Sequence, residues 1–78
     1  MYKLQWERTL NALRNIISEN MFDRFFANAT LVSLSENGAV IQLPEGIDPK
    51  ELLPYRSLLE HSWQSSNNTQ NRINFEFQ

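Results

Sequence analysis

Apolar side chains recur every three or four residues near the start of the chain, as on one face of an amphipathic helix. The members of this stripe are Trp6, Leu10, Leu13 and Ile17. The pattern predicts a first helix between residues 2 and 18. Ser18 and Asn20 favour a break after it, because their side chains compete with helix hydrogen bonds and cap a new helix.

A second, shorter helix is predicted directly after this break. Its apolar positions, again three or four residues apart, are Phe22, Phe25, Phe26 and Ala29. Phe22 and Phe26 lie one turn apart, and we expect them to face the core. That orientation turns Met21, Arg24 and Phe25 toward the rim of the domain.

Beyond residue 29 the spacing changes to that of strands. Residues 30–43 predict a hairpin, because two apolar runs flank Asn37-Gly38, a preferred type I′ turn. Residues 72–77 alternate polar and apolar side chains, as a strand with one face on the core must.

A third helix is predicted to begin at about Pro49. Asp48 can cap it, Pro49 suits its first position, and Glu51 completes a capping box. Pro54 then either separates the first turn from the rest or kinks the helix. Residues 65–71 are polar turn-forming residues and predict a loop.

The order helix, helix, strand, strand, helix, strand predicts a single α+β domain over residues 1–78. We expect a KH-like α-α-β-β-α-β arrangement with a three-stranded sheet packed against the helices. A chain this short has room for one core. The residues expected to form it are Leu10, Leu13, Phe22, Phe26, Val40, Leu59, Ile73 and Phe75.

Composition favours a cytoplasmic protein that does not enter membranes. The chain has no cysteine, as is common in reducing compartments, and no apolar run long enough for a membrane helix or a signal peptide. The formal net charge is −2 and the basic residues are dispersed. Strong non-specific nucleic-acid binding, which needs a basic run or face, is therefore not expected.

Candidate chemistry is sparse in this sequence. There is one histidine, His61, and the carboxylates are scattered singly, so no catalytic residue, metal ligand or cofactor-binding residue is predicted. Gly46 has no phosphate-binding motif around it. We expect a protein that is not an enzyme and has no cofactor, with His61 exposed near the end of the third helix.

Several of these features together resemble the N-terminal domain of DnaA, the bacterial chromosomal replication initiator. The residues that carry the resemblance are Trp6, Leu10, Leu13, the segment 22–26, Asn37-Gly38, Leu43-Pro44 and Tyr55. It extends over essentially the whole chain. The sequence departs from the usual family pattern in having Phe25 in place of a tryptophan, Glu45 and Ile47 after the hairpin, and Met21 before the first phenylalanine.

The resemblance implies a domain that contacts the replicative helicase and regulators of initiation and associates weakly with itself. It points to the second helix and the loop before the third as the partner-binding segments. A patch of Met21, Arg24, Phe25 and Ile47 joins these segments and has the composition of a contact hot spot, an apolar cluster beside an arginine. In the alternative, Phe25 and Ile47 only pack on each other. We also expect Trp6 to be partly buried and to support self-association, unless it simply closes the core. No ATPase motif is present, so the chain is either an excised domain or a free-standing relative.

Two other functions fit the same sequence. A KH-like single-stranded nucleic-acid binder is one, although the GxxG loop of that family is missing and any such binding would be weak. A stand-alone adaptor or inhibitor that mimics the initiator domain is the other. The length of the native reading frame beyond Gln78 would separate the latter from an excised domain.

Overall fold

The computed structural model of the chain describes residues 3–78. It confirms the predicted α+β class: helices pack on a three-stranded mixed sheet. The elements are α1 (Lys3–Arg14), α2 (Glu19–Met21), a π-helical turn (Phe22–Phe26), β1 (Thr30–Leu34), β2 (Gly38–Gln42), a 3₁₀ helix (Pro49–Tyr55), α3 (Arg56–Ser66) and β3 (Asn74–Phe77). Tyr2, where the first helix was predicted to begin, lies outside the described residues.

Helix α1 ends at Arg14, earlier than the apolar stripe predicts. The next residues form a turn in which the Ile17 N–H still donates to the Leu13 carbonyl (3.2 Å). Ile17 therefore packs against the core from outside the helix. Ser18 caps α2 as predicted, because its hydroxyl accepts a hydrogen bond from the Met21 N–H (3.2 Å).

The second helix is wider than an α-helix. Its Ala27 N–H donates to the carbonyl of Phe22, five residues back, at 2.9 Å, which is the hydrogen bond of a π-helical turn. Phe22, Phe25 and Phe26 are all buried on its inner side. The expectation that Phe25 lies at the rim is therefore wrong: it is 3% exposed. The ring of Tyr55 packs against it, with centroids 6.0 Å apart.

The predicted hairpin is confirmed, but its turn is not type I′. β1 and β2 are antiparallel, and the Ser35 N–H donates to the Gly38 carbonyl (2.8 Å). Glu36 and Asn37 therefore form the turn, and Gly38 begins β2. A type I′ turn needs positive φ at both central residues, whereas the positive φ angles in the described chain belong to Asn68 and Gly46.

The sheet has the order β1-β2-β3, with β3 parallel to β2. This pairing begins where the Asn74 N–H donates to the Asn37 carbonyl (3.0 Å). In this register Ala39 and Ile41 are buried, so the prediction of Val40 in the core is wrong and Val40 is half-buried.

The other expected core residues belong to the observed core or pack on it. Leu10 is partly buried against the cluster. The rest are buried: Leu13, Phe22, Phe26, Leu59, Ile73 and Phe75.

Trp6 closes this core and is 6% exposed, so the expectation of partial burial is also wrong. Its indole Nε1–H donates to the carbonyl of Ala29 at 3.1 Å. That bond gives the donor a partner in the interior and ties α1 to the chain that enters β1. A tryptophan near a chain end can thus be covered when a backbone carbonyl meets its polar atom.

We predict that Trp6→Phe lowers the free energy of unfolding by about 1–3 kcal/mol beyond the effect of lost ring volume, because the buried Ala29 carbonyl loses its donor. Trp63→Phe is the matched control. Trp63 is also buried, but no acceptor among residues 3–78 meets its indole N–H. Urea denaturation of both variants measures the difference, and equal losses would contradict the role of the hydrogen bond.

Candidate functional site

The two segments of the expected partner-binding patch are the π-helical turn and the chain from Pro44 into the 3₁₀ helix. Pro44 to Ile47 form a type II turn, in which the Ile47 N–H donates to the Pro44 carbonyl (3.3 Å). Gly46 occupies the third position with φ +88°, which favours glycine. This turn delivers Ile47 and Asp48 to the start of the 3₁₀ helix.

A capping box holds that start, as predicted. The Asp48 carboxylate accepts from the Lys50 N–H (2.9 Å), and Glu51 Oε2 accepts from the Asp48 N–H (3.3 Å). Pro54 does not kink a single helix. The first part is a separate 3₁₀ helix that ends at Tyr55, where α3 takes over.

Ile47 is partly buried and packs against the core cluster, to which Leu52 belongs. It immediately precedes the capping residue Asp48, and Leu52 lies in the fourth helical position. This is the arrangement of a hydrophobic staple, which fixes the angle at which the chain enters a helix. The staple accounts for the buried part of the Ile47 side chain, and the rest of that side chain stays accessible.

Arg24 connects the two segments across the surface. Its Nη2 lies 3.3 Å from Glu51 Oε1, and its guanidinium carbon lies 5.0 Å from the centre of the Phe25 ring. The same Glu51 caps the Asp48 N–H with its other oxygen. One chain of polar contacts therefore runs from the π-helical turn to the helix cap, while 60% of the Arg24 side chain stays exposed.

The structure therefore brings the predicted segments together, but fewer of the predicted side chains are exposed to solvent. Arg24 is exposed, Met21 and Ile47 are half-buried, and Phe25 lies beneath the surface. Sequence reasoning missed Glu51 as the partner of Arg24, although its place in the capping box put it beside the loop. It also missed Tyr55 as the residue that covers Phe25, for which no local signal exists.

Large apolar residues are exposed elsewhere on the surface. They are Leu4, Ile16, Val32, Leu53 and Leu58. Leu53 lines a groove of about 500 Å³ between the 3₁₀ helix and β3. Arg56 lines the same groove, and its Nη2 donates to Asn74 Oδ1 on β3.

The rest of the surface holds little that suggests chemistry. No group of three or more His, Asp or Glu side chains able to hold a metal occurs among residues 3–78. His61 is exposed, as predicted. Within the same range, no helix has the length and apolar character needed to cross a membrane.

Three of the basic side chains have an acidic or aromatic partner. Arg24 pairs with Glu51, and Arg72 Nε lies 3.6 Å from Glu60 Oε2. Arg14 lies over the ring of Phe22, with its guanidinium carbon 4.6 Å from the ring centre. The carboxylates partly balance the charges of Arg24 and Arg72, whereas a groove that follows a nucleic-acid backbone is positively charged.

Comparison with known proteins assigns no family to the chain. No protein-family model matches it, and no curated protein matches it significantly.

We predict that Gly46→Ala costs about 1–2 kcal/mol of folding stability, because a side chain disfavours the left-handed backbone of the type II turn. Gly38→Ala is the control. Its φ is not in that region, and an added Cβ would lie 3.4 Å from Ser35 Oγ, so its change should be less than about 1 kcal/mol. Thermal or urea unfolding gives both values, and an equal cost would argue against the turn assignment.

A second prediction separates the core residue of this site from the surface residue. Phe25→Ala should cost about 3–5 kcal/mol and leave much of the protein unfolded, because a domain this small has little more stability than that. Arg24→Ala should cost less than about 1 kcal/mol, as exposed ion pairs do. Circular dichroism with urea denaturation tests both. A fully folded Phe25→Ala protein with an unchanged midpoint would show that the ring is not part of the core.

Proposed function

We propose that the chain is a protein-protein interaction domain of a bacterial replication initiator, which contacts the replicative helicase and regulators of initiation. The distributed resemblance to the DnaA N-terminal domain supports this proposal. The order of elements, with the aromatic segment 22–26 on the second helix and the hairpin before the third, is consistent with it.

At the level of single residues, the proposal is supported by the position of Arg24. Its guanidinium lies over the buried Phe25 ring and beside Glu51, yet most of the side chain is exposed. A charged group held in this way loses little conformational entropy when a partner binds, which favours affinity. Arginine is also among the residues most enriched in interface hot spots.

Met21 and Ile47 add the apolar part of the contact. Both are half-buried, so each retains some accessible surface while its packing against the core restricts its motion. Small apolar surfaces beside a pre-positioned arginine have the composition of an interface centre. Phe25 supports this surface from below instead of contacting the partner, which revises the role first expected of it.

Self-association is proposed to use the outer face of α1. Trp6 is too deeply buried to supply much contact area, so its part is to hold the helix in place. Leu4 is on the same helix and is 56% exposed, which makes it the apolar residue that a second copy can reach. One exposed leucine with charged neighbours is consistent with an association that is weak.

The decisive measurement is binding of the cognate replicative helicase to the Arg24→Ala variant, with Arg14→Ala as the matched control. Both arginines lie over phenylalanine rings, but Arg14 is on α1, away from the 3₁₀ helix. We expect Arg24→Ala to weaken binding by at least about fivefold, or ~1 kcal/mol, and Arg14→Ala to leave it unchanged.

Unchanged affinity in both variants would remove this surface as the helicase contact. Absence of any helicase binding by the wild-type chain would contradict the proposed function itself. Binding of single-stranded DNA whose affinity falls steeply with added salt would instead favour the KH-like nucleic-acid binder. A stand-alone adaptor would bind the same partners, and the native reading frame beyond Gln78 distinguishes it.

A further inference from the structure

The hairpin turn contains a feature that partner binding does not use. Asn37 is followed by Gly38, whereas every other asparagine in the chain is followed by a residue with a side chain. Asn37 is exposed at the centre of the turn, and its side-chain amide makes no hydrogen bond among the described residues. The side-chain amide carbon of Asn37 is thus unrestrained by hydrogen bonds. It lies next to the backbone nitrogen of Gly38, which has no side chain to hinder it.

The hydrogen bonds of the turn engage the Gly38 carbonyl and not its N–H. The Gly38 carbonyl is held twice, by the Ser35 N–H at 2.8 Å and by the Ser35 hydroxyl at 3.2 Å. Its N–H, by contrast, makes no turn hydrogen bond back to the Ser35 carbonyl. In a tight hairpin this donor would normally pair with the residue across the turn. Here that bond is missing, so the turn does not hold the proton on the Gly38 nitrogen.

We propose that Asn37 is a site of spontaneous deamidation. The Gly38 nitrogen gives its proton to hydroxide and attacks Cγ of Asn37, a C–N bond forms, and the side-chain nitrogen leaves as ammonia. Water then opens the cyclic imide at either carbonyl. Opening at Cγ gives aspartate in a normal chain, and opening at the main-chain carbonyl gives an isoaspartyl linkage. The net change is water consumed and ammonia released, with no oxidation or reduction.

Asn37 lies where the β1–β2 hairpin joins strand β3. The Asn37 carbonyl accepts the N–H of Asn74 at 3.0 Å, the first bond between the hairpin and β3. An isoaspartyl linkage inserts a methylene into the main chain between this bond and the Ser35–Gly38 bond, so the two cannot keep their present geometry. Either product also places a negative charge beside Glu36, in a chain whose formal net charge is already −2.

The test is to incubate the folded protein at mildly alkaline pH and follow each asparagine by peptide mass mapping. We expect a gain of about one mass unit confined to the peptide with Asn37, with a rate that rises with pH. Asn15 is the internal control, because it precedes the branched Ile16 and its Nδ2 donates to the Asn11 carbonyl (3.2 Å).

Gly38→Ala is the matched variant, since it keeps Asn37 and is expected to fold. It should slow the reaction at least about tenfold, equivalent to ~1.4 kcal/mol in the barrier, because the added Cβ hinders the nitrogen. Deamidation of Asn37 no faster than that of Asn15 in the folded protein, with rapid reaction in urea, would overturn the proposal by showing that the turn protects the site. So would an unchanged rate in Gly38→Ala.

A second readout tests the structural consequence. Charge-separated fractions of the aged protein should contain an isoaspartyl form that unfolds at lower urea concentration than the Asn37→Asp variant. The aspartyl product and Asn37→Asp have the same covalent structure and should unfold together. Equal stability of the isoaspartyl and aspartyl forms would show that the turn does not constrain the main chain at Asn37.

Discussion

The rest of the structure depends on how three phenylalanines in five residues are buried together. A regular α-helix turns through about 100° per residue, so Phe25 and Phe26 diverge from a single inward direction. The π-helical turn over Phe22–Phe26 widens the helix, and Tyr55 contacts the rings of both Phe25 and Phe26, at 6.0 and 6.1 Å between centroids. Such turns sacrifice regular helix hydrogen bonding and are frequent at functional sites. Here the aromatic contacts offset that loss by removing a large apolar area from water.

This packing decides what the surface between the second helix and the 3₁₀ helix can be. With all three rings inside, the outward positions of the turn are polar, and Arg24 extends over its own neighbour toward Glu51. Tyr55 belongs to the 3₁₀ helix, so the contact that covers Phe25 also fixes the distance between the two segments. The core and the surface are therefore linked. A change that loosens Phe25 displaces the arginine, even though the arginine itself contributes little to stability.

The sequence predicted those features whose causes lie within a few residues of one another. Ser18 and Asp48 cap through side-chain contacts with nearby backbone, and the alternation in residues 72–77 follows from one buried face. It failed where the cause is distant in the chain. Trp6 is buried because the Ala29 carbonyl meets its indole, and Phe25 because of Tyr55. The turn lies at Glu36-Asn37 and not at Asn37-Gly38. There the Asn37 carbonyl accepts the Asn74 N–H of β3, a parallel pairing that rules for hairpins do not include. Of the candidate site, sequence located the segments but not the exposure of their side chains.

The Arg24–Glu51 pair contributes little to folding stability. An exposed pair contributes between about 0 and 1 kcal/mol, and holding two long side chains in one geometry costs entropy that offsets much of this. A stacked contact over an aromatic ring adds a similarly small amount at the surface. Glu51 would cap the Asp48 N–H without Arg24, so helix initiation does not require the arginine. Stability thus gives little reason for the arrangement, whereas orientation does: the ring beneath and the carboxylate beside it leave the guanidinium few alternative positions. A partner that binds at Arg24 finds a donor that is already oriented. The conformational entropy lost in orienting this side chain is then a cost of folding and not of binding.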